Sequence, residues 1–208
     1  MKNSNSIIAI AIICLVVIFG GIAFIWSHTN NIPSGVPTLG DVGTTTVKTF
    51  TNAEPHFSIQ YPGNFTVNTQ YLYQELGPNK TIAGVSFTIP KSLTEGTNLS
   101  SDSFVSVESL PLPSCTALTF LGETATTSKT VVENGVAYDV AEGVGAAAGN
   151  IYDEYVYAIQ GSHPCTIIRY VIHSGNIANY PPGAVSEFNK FVLVTIFDAM
   201  RHTYKALP

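Results

Sequence analysis

The stretch IYDEYVYAIQGSHPCTIIRYVIH, residues 151–173, holds two strand-like runs around a turn. Ile151–Ile159 and Cys165–His173 are rich in β-branched and aromatic residues, whereas Gln, Gly, Ser, His and Pro fill the positions between them. This pattern is typical of an antiparallel hairpin. We therefore predict two paired strands, closed by a loop at residues 160–164.

The same strand pattern recurs earlier in the chain. Apolar and polar residues alternate at 57–61 and 85–89, which is the period of a strand with one buried face. Clusters of Gly, Pro, Asn and Ser separate the runs at hairpin-like spacing, so the sheet should be largely antiparallel. Further strand candidates are Phe65–Tyr73, Phe104–Ser109 and Val136–Glu142.

A long helix is predicted near the C-terminus. After the breaker Pro181-Pro182-Gly183, apolar residues follow i, i+3, i+4 spacing from Val185 to Tyr204. A shorter helix is predicted at 114–121. Strands in series with a covering helix make the fold class α+β. We expect the long helix to seal one face of the sheet with Phe188, Phe191, Val192, Ile196 and Met200.

Two segments resemble a known family. The segment His56–Phe65, HFSIQYPGNF, resembles the opening hairpin of PsbP/Mog1/DcrB-like domains, and the final helix, with Phe191 and Ile196, resembles their C-terminal helix. The resemblance implies an antiparallel sheet of about six strands flanked by helices. It also implies a non-enzymatic role in assembly, stability or binding. As a whole, the chain is similar to single-span bacterial proteins that share a GNxYxE strand and an IHSxNIxNYPPG loop, a similarity that assigns no activity.

Residues 7–26 predict a transmembrane helix, because they run without a charged or strongly polar side chain. At about 1.5 Å per residue, a helix of this length spans about 30 Å, the thickness of a bilayer core. The run ends in bulky Phe24, Ile25 and Trp26. A cleaved signal peptide would end in small residues, so we favour a retained signal anchor.

The flanking charges predict the orientation of this anchor. Lys2 precedes the span and the first charge after it is Asp41, so the positive-inside bias places residues 1–6 in the cytoplasm. Residues 27–45, rich in Pro, Gly, Asn, Ser and Thr, are predicted to be a flexible linker. Residues 46–208 then form an extracytoplasmic domain attached to the cell membrane.

Composition excludes two classes of protein. The chain has 208 residues, of which 45% are hydrophobic and 11% charged, so it is too apolar to be disordered. Its net charge of -5 leaves no basic surplus for holding nucleic acid. One folded domain with an anchor fits these numbers.

Cys115 and Cys165 are the only cysteines outside the predicted membrane span. An extracytoplasmic compartment is oxidising, and a single pair leaves no cysteine over. We predict a disulfide between them. Two unpaired buried cysteines are the alternative.

The densest polar chemistry lies on the predicted 151–173 hairpin. If the loop at 160–164 closes it, Tyr155 lies opposite Arg169, Asp153 lies diagonal to Arg169, and His173 lies farther along the same face. Two interpretations remain open. The group is either a structural Arg–Asp pair or a pocket in which Arg169 grips an anion and tyrosines supply contact area.

The loop NIANYPPG at 176–183 combines Tyr180 with rigid prolines. An exposed aromatic side chain on a stiff loop is a candidate contact for another protein. The alternative is a loop that only leads into the final helix.

Neither an enzyme, a metal site nor a cofactor is predicted. The five histidines lack metal-ligand spacing, and no nucleophile and base form a recognisable motif. GVGAAA at 143–148 fits a dinucleotide motif only by composition, so we interpret it as a flexible connection between antiparallel strands. The predicted function is a membrane-tethered interaction or assembly module for a membrane or envelope protein. The alternative is a small-anion-binding domain around Arg169 and His173.

Overall fold

The computed structural model describes residues 46–78, 80–121 and 125–208. The predicted cytoplasmic N-terminus at 1–6, membrane span at 7–26 and linker at 27–45 lie outside these ranges. Among the described residues, every helix is too short or too polar to cross a bilayer.

The described chain is mostly sheet. Seven strands form an antiparallel sheet in the order β3-β4-β5-β9-β8-β7-β6, and β1, β2 and β10 form a second sheet. The elements are β1 Val47–Asn52, β2 Phe57–Pro62, β3 Thr66–Tyr73, β4 Ile82–Thr88, β5 Phe104–Leu110, α1 Leu118–Leu121, β6 Lys129–Glu133, β7 Val136–Ala147, β8 Asn150–Ile159, β9 Cys165–Gly175, α2 Lys190–Arg201 and β10 Lys205–Ala206.

The α+β class and the antiparallel sheet are confirmed, but the large sheet has more strands than expected. The additional strand is β6, which pairs with β7 across the turn Asn134-Gly135. Both turn residues have positive φ, 51° and 79°, as a tight two-residue hairpin turn requires. An Asn-Gly dipeptide between apolar runs is a strong hairpin signal that the sequence prediction did not use.

Most of residues 143–148 belong to a strand. β7 continues to Ala147, and the turn consists of Ala148 and Gly149, with φ of 50° and 83°. The expectation of a flexible connection over this whole segment is therefore wrong. The dinucleotide motif also fails structurally, because the glycines lie within β7 and not in a loop before a helix.

Helix α2 begins later than predicted, and only part of its predicted stripe is buried: Ile196 and Met200 are, whereas Phe191 and Val192 are exposed. It starts at Lys190, where the Asn189 side chain accepts a hydrogen bond from the Val192 amide at 3.1 Å. Phe191 is 74% exposed, so its predicted place in the core is wrong. At 100° per residue, Phe191 lies well away from the buried stripe. That stripe comprises Leu193, Ile196, Phe197 and Met200.

The large sheet has a hydrophobic cluster on each face. Residues of α2 and β2 pack on one face, against Phe87, Val105 and Tyr170 among others. Residues of α1 pack near one end of the other face, against Val156 and Ile167. The predicted disulfide between Cys115 and Cys165 is confirmed, and it ties the segment before α1 to the first residue of β9. The long helix therefore covers one face and leaves much of the other to the site described below.

The face opposite α2 is concave. Tyr73 on edge strand β3 lies over the guanidinium of Arg169, with 3.6 Å between the ring centroid and Cζ, although two strands separate β3 from β9. In a flat sheet three strand spacings amount to about 14 Å. The register shift between Asn68 and Tyr71 marks a bulge in β3, and a bulge bends the strand that carries it.

Candidate functional site

Arg169 is the buried centre of the concave face. Its side chain is 0% exposed, and Nε and Nη2 donate to the two oxygens of Glu108 at 2.9 and 3.0 Å. Nη1 donates to Glu154 at 2.7 Å and to the carbonyl of Phe120 at 2.9 Å. Charge-assisted bonds of this kind stabilise a buried cation. One positive charge therefore faces two carboxylates, which leaves this network one unit negative.

The predicted register of the β8–β9 hairpin is wrong by one residue. Val156 lies opposite Arg169, and Tyr155 lies opposite Tyr170. Because side chains alternate between faces, this shift places Asp153 and Tyr155 on the α2 face, away from Arg169. The predicted Arg169–Asp153 pair is therefore absent. The carboxylates that pair with Arg169 are those of Glu108 and Glu154.

A serine in the turn links the ends of the two strands. The Ser162 hydroxyl donates to the Ile159 carbonyl at 2.8 Å and accepts from the Thr166 amide at 2.9 Å. The side chain thus replaces a ladder hydrogen bond between the two strands. The spacing of apolar residues does not reveal such a contact.

Asp153 and Tyr155 contact the start of α2. Asp153 pairs with the Lys190 ammonium at 2.8 Å, and the same ammonium lies 5.6 Å from the Tyr155 ring centroid. These two residues therefore position the helix and do not share a site with Arg169 and His173.

A cleft of about 680 Å³ lies on the concave face, between β3 and the end of the β7–β8 hairpin. Asp102 lies at its edge with a side chain that is 67% exposed. Side chains of both polar and aromatic character line the cleft, including Tyr71, Tyr73, Phe104, Tyr152, Glu154 and His173.

His173 is held by two neighbours within this cleft. Its Nδ1 lies 2.8 and 2.9 Å from the two oxygens of Asp102, and its ring stacks on Tyr152 with centroids 4.5 Å apart. Burial would raise the pKa of Asp102, but hydrogen bonds from His173 and Ser100 outweigh it and hold that pKa below its ordinary value. Asp102 therefore stays ionised and keeps the proton of the imidazole on Nδ1.

One polar atom of the cleft lining, His173 Nε2, is buried without a hydrogen-bond partner in the described part of the chain. Nδ1 of the same ring faces the Asp102 carboxylate, so Nε2 is the ring nitrogen left for another contact. The Tyr71 hydroxyl lies beside Ser106, and burial, then the negative charge of Glu108, raises its pKa far above the ordinary value. Buried polar groups in proteins are nearly always paired, which marks His173 Nε2 as a candidate ligand contact.

Tyr180 lies outside the cleft lining. Its hydroxyl packs so closely on Gly175 that a Cβ at that position would collide with it. The neighbouring Asn179 side chain donates to the Gly149 carbonyl at 3.0 Å. The Tyr180 loop is thus docked on the end of β9 and the β7–β8 turn, with Tyr180 37% exposed.

Sequence reasoning missed six residues of this region: Tyr71, Tyr73, Asp102, Phe104, Glu108 and Tyr152. Of these, only Glu108 carried a usable signal, since it is a carboxylate within the apolar run 104–110 and implies a buried cation on a neighbouring strand. Within the described ranges, no cluster of His, Cys, Asp or Glu has the arrangement of a metal site.

No family model and no curated protein matches the chain. Among solved structures, it is similar to the Ran-binding protein Mog1p of Saccharomyces cerevisiae, with 12% identity, 78% of this chain and 96% of that chain covered, and a TM-score of 0.45. It is also similar to a protein of Bacteroides thetaiotaomicron, with 9% identity, 77% of this chain covered and a TM-score of 0.42. The chain spans about half the length of that protein, 48%. These similarities assign neither ligand nor partner.

Proposed function

We propose that residues 46–208 form a non-enzymatic binding domain, tethered outside the cell membrane by residues 7–26, and that the cleft on the concave face is its ligand site. One observation carries the proposal: the cleft is lined by His173, whose Nε2 is buried and lacks a hydrogen-bond partner in the described chain. A ligand in the cleft would supply that hydrogen bond.

The size of the cleft supports a small ligand. A volume of about 680 Å³ falls within the range of pockets that enclose metabolite-sized molecules, about 300–1,000 Å³. Aromatic walls with a few convergent polar groups are also typical of such pockets.

The contacts of Arg169 argue against an anion as the ligand. All three guanidinium nitrogens are hydrogen-bonded within the protein, and the side chain is fully buried. An anion approaching it would also meet the carboxylates of Glu108 and Glu154. The proposed site therefore retains His173 from the sequence prediction and gives Arg169 a supporting role.

A ligand screen on the full-length protein in nanodiscs tests the proposal. We expect that a small molecule that raises the melting temperature will lose this effect when Tyr152→Ala opens the wall of the cleft beside His173. Tyr180→Ala is the matched control, because it removes a tyrosine outside the cleft. Ligands that respond equally to both substitutions, or to neither, would place the binding site elsewhere.

A second candidate function is the docking of a membrane or envelope protein, and exposed Phe191 favours it. Its side chain lies at the start of α2 and is 74% exposed, on the side of the helix away from the buried stripe. The Ran-binding description of Mog1p belongs to that protein, and the candidate here rests on Phe191. A photo-crosslinker at position 191 should capture a partner in native membranes, whereas one at exposed Glu95 should not.

A further inference from the structure

We propose that the cleft selects an organic cation, a molecule that carries an ammonium group. This inference rests on the proposed function and adds the chemical class of the ligand. In the sequence, Arg169 suggested an anionic ligand, whereas the ligand inferred here is positively charged.

The charges beneath the cleft favour a cation. Arg169 contributes one positive charge, and Glu108 and Glu154 contribute two negative charges in direct contact with it. The Glu154 side chain is 19% exposed and lines the cleft, so the unbalanced negative charge reaches its surface. Ionised Asp102 adds a second carboxylate at the edge. Coulomb interactions are stronger in a partly buried site than in water, so a positive ligand gains from both groups.

The aromatic walls suit the same ligand. Tyr71, Tyr73, Phe104 and Tyr152 line the cleft, and the negative face of an aromatic ring attracts an ammonium group. Tyr73 already makes such an interaction, because the guanidinium of Arg169 lies over its ring at 3.6 Å. Aromatic rings together with carboxylates are the groups with which proteins recognise quaternary ammonium ions.

Polar groups in the cleft complete the match. Glu154 and Asp102 line the cleft with carboxylate oxygens, which accept hydrogen bonds, and the Tyr73 hydroxyl already donates to Glu154 at 3.1 Å. The hydroxyl of a ligand therefore finds acceptors in the cleft. An amino alcohol such as choline satisfies this arrangement with its charge, its methyl groups and its hydroxyl.

Choline and its uncharged carbon isostere, 3,3-dimethylbutan-1-ol, form a matched pair of probes, with acetate as the anion. Binding is measured by calorimetry on the full-length protein in phosphatidylglycerol nanodiscs. We expect choline to bind at least about tenfold more tightly than the isostere, and more weakly as salt rises.

Repeating the titration in phosphatidylcholine nanodiscs separates two sources of the ligand. Loss of free choline binding identifies a lipid headgroup, and unchanged binding identifies a soluble amine.

Substitutions locate the effect. Asp102→Asn and Glu154→Gln should each lower choline affinity several-fold and leave isostere binding unchanged, whereas Glu95→Gln, at an exposed carboxylate outside the cleft lining, should change neither. Asp102 is exposed, so its variant remains informative if loss of the Glu154–Arg169 pair impairs folding.

Equal binding of choline and the isostere, both lost in Tyr152→Ala, would overturn the inference and leave the proposed function intact. If neither probe, nor any ligand from the screen, depends on Tyr152, both proposals fail.

Discussion

Arg169 was predicted to bind a ligand, but in the structure it is buried below the cleft, where it pairs with Glu108 and Glu154. Replacement by Met would leave Glu108 and Glu154 beside an apolar side chain, with Glu108 fully buried. Removing one partner of a buried ion pair typically lowers the free energy of unfolding by about 3–5 kcal/mol. We expect Arg169→Met to lower the urea midpoint sharply.

The double variant Arg169→Met/Glu108→Leu serves as the control, because it removes both buried charges. Replacing a buried pair by apolar residues is often close to neutral, so this variant should regain much of the lost stability. An Arg169→Met protein with the midpoint of the unmodified chain would show that the network does not bear on folding.

A second residue-scale prediction concerns acid. Burial would raise the pKa of Glu133, but hydrogen bonds from His202 and Arg201 outweigh it and lower that pKa in the folded state. A carboxylate with a lowered folded pKa stabilises the protein above its unfolded pKa and loses that contribution as pH falls through the folded value. Thermal unfolding should therefore show a falling melting temperature below about pH 4.5, the ordinary pKa of this group.

Glu133→Gln should flatten part of this decline, since the glutamine does not titrate. Glu142→Gln is the comparison, because Glu142 makes only a long, exposed pair with Lys129 at 3.8 Å. Identical acid profiles for Glu133→Gln and the unmodified protein would contradict the assigned role of Glu133.

At the scale of elements, the position of α2 predicts which of its residues stabilise the fold. Leu193 is buried against the sheet, and a buried Leu→Ala change typically costs about 2–5 kcal/mol. Phe191 is exposed, so Phe191→Ala should change stability by no more than about 0.5 kcal/mol. Urea denaturation of the two variants distinguishes them, and a larger loss for Phe191→Ala would mean that the helix docks through the stripe predicted from the sequence.

The elements themselves were largely predictable, whereas their registers and ends were not. Alternating apolar residues and turn clusters predicted strands at 57–61, 85–89 and 151–173, because burial of one face leaves its period in the sequence. The start of α2 depends on long-range contacts instead. The Phe188 amide donates to Asn98 Oδ1 at 2.9 Å, which holds the chain extended just before the helix. No local pattern reveals such a contact.

The candidate site was predictable only in part, for a similar reason. His173 was recognised because it stood among other polar residues on one hairpin. Tyr71, Tyr73 and Asp102 come from other parts of the chain. Asp102 precedes β5, and the pairing of β5 with β9 brings it to His173, whereas Tyr71 and Tyr73 line the same cleft from β3. β3 carries a bulge, and a bulge leaves little trace in the spacing of apolar side chains.

At the scale of the whole molecule, the membrane topology remains a prediction from residues 1–26. The extracytoplasmic placement of residues 46–208 predicts that protease added to intact spheroplasts digests this domain. Digestion only after lysis would place it in the cytoplasm. A cytoplasmic protein of known location, probed in the same sample, controls for leakage.

Strand β9 belongs to both hydrophobic clusters, and this sharing bears on how the domain opens. Ile168, Tyr170 and Ile172 pack in the cluster under α2, while Ile167 packs in the cluster under α1. The strand is also hydrogen-bonded to a neighbour on each side, β5 and β8. Neither cluster can separate from the sheet without exposing this one strand, so its amides should exchange with deuterium only through global unfolding. Exchange should be much faster at edge strand β3. The β3 side of the cleft can therefore open locally while β9, at its base, stays folded.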